Sequence, residues 1–416
     1  MIMACIQGHL SEERIRHALA RVQAKHPILR SLVVDEDDRP WFALQASPPP
    51  IPLRIMDRSD ESSWVNISTD ELLDRFDGPR QPLARLLWLR GDADSELVLV
   101  CHHVICDGRS LVTLLREILL LCDQPDHDIG SYSVLTSLED VVPAEILTDR
   151  RLQRSMRHKV ALLKGLLWLA RPLLRRPGAT PAYGVYGKVY RNFWILDADA
   201  SRLLLARCKK EGVSAFAAIS VAFMLAFRMI RGVKDDKQFV GSVDLRRHLP
   251  GLKADSLFAT AGTVALSLGK TKLPEDGLAE AGFWTLARAL KADMTQKIQR
   301  MGPSACTRLL GLEHLHDVYD RIVAYGLSKQ AGRLVTLSYL GRMDIAENYR
   351  HFHLRAVCGI SGMLEPTPAN LLVISSFAGR FDFSLASDEQ SLPYAQAVQI
   401  KEKAMAMLSV YAAATE

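Results

Sequence analysis

The chain has 416 residues, with 52 Lys and Arg against 47 Asp and Glu for a formal charge of +5, and 48% of its side chains are hydrophobic. That balance excludes wholesale disorder and a collagen-like repeat, and the length predicts two or three domains, or two lobes sharing one site. Seven cysteines with no CxxC spacing predict neither a disulfide framework nor a zinc cage, and they suit a reducing compartment. No charged-then-apolar leader opens the sequence, so export is not expected and the expected location is cytoplasmic. The longest apolar run, Ala215 to Phe227, is shorter than the roughly 18 residues of a spanning helix and reads as a buried core helix.

Taken in chain order, Ser11 caps a helix with Glu12 and Glu13 at its positive end and Ile15, Ala18, Leu19 and Val22 on one face, closed by Pro27. Ile28–Val34, Trp41–Gln45 and Leu53–Met56 are predicted strands separated by turn residues. Leu83–Leu89 and Glu96–His102 flank Gly91-Asp92-Ala93-Asp94-Ser95 as a hairpin with a longer loop. Asp107-Gly108 breaks the second of these strands, and Ser110 is expected to cap a helix carrying Leu111, Leu114, Leu115 and Ile118. Residues 124–147 read as a connecting loop, 148–176 as a basic amphipathic helix pair broken at Pro172, and Pro177 to Pro181 as a linker. Beyond it the pattern predicts a strand at Val189–Leu196, helices at Ala200–Glu211 and Ser214–Arg231, and strands at Gln238–Val243 and Gly262–Leu268. Helices follow at Phe283–Arg300 and Ser304–Leu327. Strands are then expected at Leu334–Leu340, His353–Cys358, Leu371–Ser376 and Arg380–Ala386, with a last helix from about Pro393 to Ala412. Each half mixes helices and strands, so the expected fold is α/β in two lobes, 1–180 and 181–416.

One segment carries chemistry. Cys101-His102-His103-Val104-Ile105-Cys106-Asp107-Gly108-Arg109-Ser110 places two histidines at the end of an apolar strand, with a turn and a capped helix behind them. Strand ends feeding loops are where a rigid scaffold presents reactive side chains. Imidazole suits general-base work because its unperturbed pKa lies near neutrality. Strand alternation is expected to send the two rings to opposite faces, so one of them looks into a given cavity. The plain alternative is a pair of hydrogen-bonded histidines at a strand end. Cys101, two residues before His103 and on the same strand face, offers a cysteine nucleophile as a second route, or a buried thiol. His351/His353 and His314/His316 have metal-ligand spacing but no third ligand cluster, so surface or packing roles are expected and no metal is.

CHHVICDGRS resembles the H-H-x-x-x-D-G signature of the condensation-domain and acyl-CoA-dependent acyltransferase superfamily, the chloramphenicol-acetyltransferase-like fold. The resemblance runs on through Gly8-His9-Leu10-Ser11 and Arg14–Arg30, which resemble the family's opening helix and "RHPLLR" turn. Leu196-Asp197 through Asp236 is similar to its helix pair at the start of the second lobe. Val240 to Leu249 resembles the "DLRRHL" segment, and Ser338-Tyr339-Leu340-Gly341-Arg342 the "SNLGR" stretch, of stand-alone alcohol and polyketide-associated acyltransferases. It covers the chain except 148–180. Tyr339 stands where the family often has Asn, and the first strand is expected to be short.

The resemblance implies two lobes with the active site in a tunnel between them, and a direct transfer from a CoA or acyl-carrier-protein thioester to a hydroxyl acceptor. His103 would be the general base, and no cofactor is needed. Asp107 would form a structural ion pair with Arg246 (Arg247 being the alternative), Gly108 would allow the turn that aims His103, and Ser338 or His102 would touch the substrate or its oxyanion. An amide synthase using an amine acceptor and a non-catalytic docking member are the rival readings.

Residues 148–176 hold nine Lys or Arg and one acid, a local charge of +8 that leaves −3 over the rest of the chain. Charge so confined, with no RNA-binding motif or zinc finger, argues against a nucleic-acid partner. Met156, Val160, Leu163, Leu167 and Leu174 lie among these cations with Trp168, an amphipathic surface. It reads as a dock for an acidic carrier protein, as a peripheral membrane or lipid contact, or as a solvated crossover between lobes. A monomer is expected.

Overall fold

Backbone patterning and caps in the first part of the chain build a sheet around an apolar strand at the N-terminus. In the computed structural model the described residues are 1–36, 39–58, 60, 63–169, 188–232, 238–259, 261–269, 280–319, 321–322, 334–362 and 370–413. They group into two compact units that interleave along the chain. The first is Met1–Pro143, Leu249–Ala261 and Leu340–Met363; the second is Ala144–His248, Gly262–Tyr339 and Leu364–Glu416. The single break expected near residue 180 differs from this: the chain enters the second unit at 144, and two later segments belong with the first. The expected linker at 177–181 and the helix break at Pro172 lie outside the described residues.

In the first unit β1 (Ile2–Gly8) is an interior strand of seven residues, not a short remnant. It pairs antiparallel with β6 (Asp94–Cys101) and with β11 (Phe352–Cys358), Met3 facing Val98 on one side and Cys358 on the other. β5 (Ala84–Arg90) and β4 (Leu53–Asp57) complete the order β11-β1-β6-β5-β4. Burial on both faces explains why β1 reads as a continuous apolar run rather than an alternation. One face, with Met1, Met3, Leu87, Leu89, Val98 and Val100, is covered by Trp64, Ile67 and Leu72 of α2 (Ser63–Leu73), a helix the sequence pattern did not reveal. α3 (Gly108–Asp123) packs against β1 and β6, and α1 (Glu12–Lys25) packs on α3. Ser11 caps α1 by accepting the Arg14 N–H. Pro27–Arg30 forms a 3-10 turn before β2 (Ser31–Glu36), which makes a separate hairpin with β3 (Arg39–Leu44).

A buried ionic cluster ties the segment 249–261 into this unit. The Lys25 Nζ lies 2.6 Å from Glu117 and 2.9 Å from Asp255, and His26 Nε2 lies 2.8 Å from the other Glu117 oxygen. Tyr132 donates its hydroxyl to Asp255. Burial alone would raise the Asp255 carboxyl, but the hydrogen bonds from Tyr132 and Lys25 outweigh it and bring the pKa down to about 2. Paired and fully hydrogen-bonded, such charges are tolerated inside a protein where single ones are not.

The second unit is built on the sheet β7-β13-β12-β10-β8-β9, comprising β7 (Val189–Leu196), β8 (Phe239–Asp244), β9 (Ala261–Ala265), β10 (Val335–Arg342), β12 (Asn370–Phe377) and β13 (Arg380–Asp388). The expected loop at 124–147 is not a plain one: it holds a 3-10 turn at Leu138–Asp140 in the first unit and α4 (Ala144–Thr148) at the start of the second, while α5 (Arg150–Leu169) is helical as expected for the basic segment. α6 (Ala198–Lys210) is capped by Asp197. α7 (Ala215–Arg231) is capped by Ser214 and stopped by Gly232 in the left-handed region at φ 61°, a backbone conformation glycine adopts without a Cβ penalty. Every residue of α7 from Ala215 to Phe227 is buried, as its all-round apolar pattern requires. Trp194 and Phe383 stack with ring centroids 5.3 Å apart, and Phe223 of α7 closes over both. α8 (Glu280–Gln299) packs on α7, and α9 (Gly302–Leu312) continues as a 3-10 turn at Glu313–Val318. The last helix, α10 (Tyr394–Ala413), packs on α6 and α7.

Candidate active site

β6 ends at Cys101, and both histidines lie beyond it in a turn, so strand alternation does not separate them. What separates them is hydrogen bonding. The His102 backbone N–H donates to the Leu83 carbonyl at 2.8 Å, and the Val104 N–H donates to His102 Nδ1 at 3.2 Å. Phe76 stands edge-on to the same ring, 6.0 Å between centroids. His103 is exposed, and its ring has no partner among the described residues.

The loop is anchored at its far end by Asp107, not by Ser110. The Asp107 carboxylate accepts the Ser110 N–H at 2.9 Å and is the N-cap of α3. The Ser110 hydroxyl reaches the backbone of Phe258, 3.2 Å from its carbonyl and 3.1 Å from its N–H. Gly108 is the first residue of α3, with no positive φ, so it is not there to allow a turn. A Cβ at that position would lie 2.7 Å from Leu340 Cδ2. The glycine is needed for close packing, and the side chain it admits belongs to the Ser-Tyr-Leu-Gly-Arg stretch.

Cys101 and Cys106 close the loop from inside. Cys106 donates its thiol to the His102 carbonyl at 3.8 Å, and its hydrogen bonding with Cys101, then burial, pushes the thiol well up. Among the described residues no group of three His, Cys, Asp or Glu side chains is placed to hold a metal. His353 Nδ1 pairs with Asn348 at 2.8 Å, and His314 and His316 are exposed.

The remaining expected residues sit in the second unit, at neighbouring strands. β8 and β10 run parallel, Leu337 opposite Gly241. Ser338 is half-buried on β10, and its hydroxyl has no partner among the described residues. Arg246, just past β8, is buried and reaches Asp244 at 3.3 Å. Arg247 is committed elsewhere, donating to His248 Nε2 at 3.0 Å and to the Ile298 carbonyl at 3.3 Å. Burial and that guanidinium push His248 down, keeping it a neutral acceptor.

A recess of about 360 Å³ in this unit is lined by Phe216, Ser242, Asp244, Met294, Ile298 and Tyr339, among others. Tyr339 stacks on Phe216 at 5.5 Å between centroids, and burial raises its phenol. The recess is open to solvent and combines apolar side chains with a few polar groups. Sequence reasoning found only its edges, at Asp244 and Tyr339, because Phe216, Met294 and Ile298 arrive from distant helices.

Residues 1–133 match the family model described as "Condensation domain". Cyclosporin synthetase simA of Tolypocladium inflatum is 26% identical over 303 residues, 70% of this chain but 2% of that protein, so the chain spans a small fraction of this curated relative. The TRI3 trichothecene 15-O-acetyltransferase of Fusarium sporotrichioides has a similar structure with a TM-score of 0.70, 13% identity, and 99% of this chain and 90% of that one covered. Polyketide synthase associated protein 5 of Mycobacterium tuberculosis aligns over 100% of this chain and 94% of its own, with a TM-score of 0.59 and 14% identity. The fold is thus the mixed α/β, chloramphenicol-acetyltransferase-like fold shared by these structures. Within that fold, the similarity to the condensation-domain model is confined to residues 1–133, about a third of the chain.

Proposed function

We propose that the protein transfers an acyl group from a CoA or carrier-protein thioester to a hydroxyl acceptor, with His103 as general base. The observation that carries this reading is the contrast within this exposed histidine pair: His102 Nδ1 accepts the Val104 N–H, while the His103 ring has no partner among the described residues. His103 takes the acceptor's proton as its oxygen attacks the thioester carbonyl. The tetrahedral intermediate collapses by breaking the C–S bond, and the thiolate recovers the proton from the imidazolium. The products are an ester and a free thiol, and the balance calls for no redox cofactor. Such a base contributes about 10²–10⁴-fold, with the pairing of two bound substrates supplying much of the remainder.

Ser338 is the proposed oxyanion donor, worth about 10²–10³ in rate if it acts so. The family resemblance implies an arginine partner for Asp107, and Arg246 is proposed for it, with Arg247 the alternative. A double-mutant cycle of Asp107→Asn with Arg246→Gln, read by urea unfolding, is expected to give about 1 kcal/mol or more of coupling; additive effects would remove the pair.

Support for the hydroxyl acceptor comes from the full-length structural match to an O-acetyltransferase. The condensation-domain match favours an amine acceptor as the second reading. The test is a library of acyl thioesters incubated with a panel of alcohols and amines, read by intact mass. Ester formed by the wild type and absent with His103→Ala is the expected result. Amide products would shift the assignment to an amide synthase, and no turnover of any thioester would leave a docking role.

A further inference from the structure

The helix α5 divides along its axis rather than around it. Its inward side holds it to the second unit: Leu167 clusters with Leu315 and Val318 together with Val160 and Ile322, and Lys164 lies 2.8 Å from Asp317. The outward side of the first half is cationic. Arg150, Arg151, Arg154, Arg157 and Lys159 are all exposed and make no ion pair among the described residues. From residue 162 onward the outward side turns apolar, with Leu162 64%, Leu166 55%, Trp168 63% and Leu169 66% exposed. Leu312 and Tyr319, on the segment against which α5 packs, are exposed as well.

Large apolar side chains gathered on one surface mark an interaction site. An acidic protein partner would account for the arginines but leaves four outward Leu and Trp side chains without a reason. A phospholipid surface answers both halves: phosphates for guanidinium groups, and a headgroup–acyl boundary about 5–10 Å deep for leucines and an interfacial tryptophan. At about 1.5 Å per residue, the apolar half of α5 is long enough to enter that boundary while the cationic half stays over the headgroups. No described helix is by itself long and apolar enough to cross a membrane.

We propose that α5 seats the protein on an anionic phospholipid surface, Leu162, Leu166, Trp168 and Leu169 entering the boundary and the first-half cations pairing with lipid phosphates. This surface is independent of the acyl-transfer reading. The test is co-sedimentation of the full chain with vesicles of phosphatidylcholine alone and of phosphatidylcholine mixed with phosphatidylglycerol. The wild type is expected to bind the mixed vesicles and not the neutral ones. Reversing four cations (Arg150→Glu, Arg151→Glu, Arg154→Glu, Arg157→Glu), each contributing about fivefold, lowers the partition by about a hundredfold or more. The variant with Leu162→Ser, Leu166→Ser and Trp168→Ser loses binding as well. Tryptophan emission shifts to the blue on vesicle addition in the wild type and does not in Trp168→Phe. Circular dichroism establishes that each variant is folded, and Arg→Gln replaces Arg→Glu if reversal prevents folding. Failure to bind mixed vesicles, or equal binding by the serine variant, overturns the proposal. So does charge-dependent binding to an acidic carrier protein that the serine variant retains, which would make the surface a protein dock.

Discussion

A backbone N–H donated to His102 Nδ1 leaves that ring with its proton on Nε2 and one nitrogen already occupied. The neighbouring His103 ring carries no such commitment among the described residues. His103→Ala is therefore expected to lower kcat by about 10²–10⁴-fold with an unchanged unfolding midpoint, whereas His102→Ala lowers the midpoint and the rate modestly; equal losses from both would refute the assignment. A second residue-scale effect lies in the other unit, where burial of Asp382 raises its pKa to about 6 despite Arg380 at 3.7 Å. The folded protein holds a proton there that the unfolded chain releases at its ordinary value. The contribution of this group is full below about pH 4 and is lost as pH rises through about 6, roughly 3 kcal/mol in all. Asp382→Asn is expected to be more stable than wild type at pH 8 and equal to it near pH 4 in urea titrations. A pH-independent difference would contradict the buried-carboxyl account.

At the scale of elements, the histidine loop is fixed by four residues that arrive from three other parts of the chain. Leu83 and Phe76 hold its first histidine, Phe258 holds Ser110 at the start of α3, and Leu340 fills the space above Gly108. Gly108→Ala places a methyl 2.7 Å from Leu340 Cδ2, an overpacking that costs about 1–3 kcal/mol, reduced by up to about 1 kcal/mol of helix propensity. Leu340→Ala makes room, so the two substitutions together should destabilise less than the sum of each alone, as measured by thermal unfolding. Strict additivity would mean that the two side chains do not compete for one space. The caps and apolar faces of α1, α6 and α7 were readable because capping and period are local. α2 was not, since its few apolar residues match β-strand neighbours rather than a helical stripe of their own. The turn at Pro27–Arg30 read as strand because Ile28 and Leu29 are apolar, and period alone does not distinguish a short turn.

On the scale of the whole molecule, the interleaving of the two units has a consequence for dissection. A fragment ending at residue 180 lacks β11, so β1 would become an open edge with Met1, Met3 and Cys5 beside it, and it also lacks Asp255 for Lys25. Open apolar edges pair with other chains. The fragment is expected to be aggregated or to unfold without cooperativity in urea, as read by size exclusion and circular dichroism. A monomeric fragment with a sharp transition would show that the first unit does not need 340–363.

Local chemistry was enough to place the histidine pair at a strand end, cap the principal helices, recognise the α/β class and mark the basic segment, because period, capping and charge are properties of neighbours along the chain. Tertiary structure alone decided why position 108 is glycine, that Ser110 is held by Phe258, and which side of α5 is left outside. Each of those depends on which distant segment lies within a few ångströms, and no stretch of sequence contains that information: Leu340 excludes a Cβ, Phe258 engages the Ser110 hydroxyl, and Leu315 and Val318 determine which side of α5 is left outside.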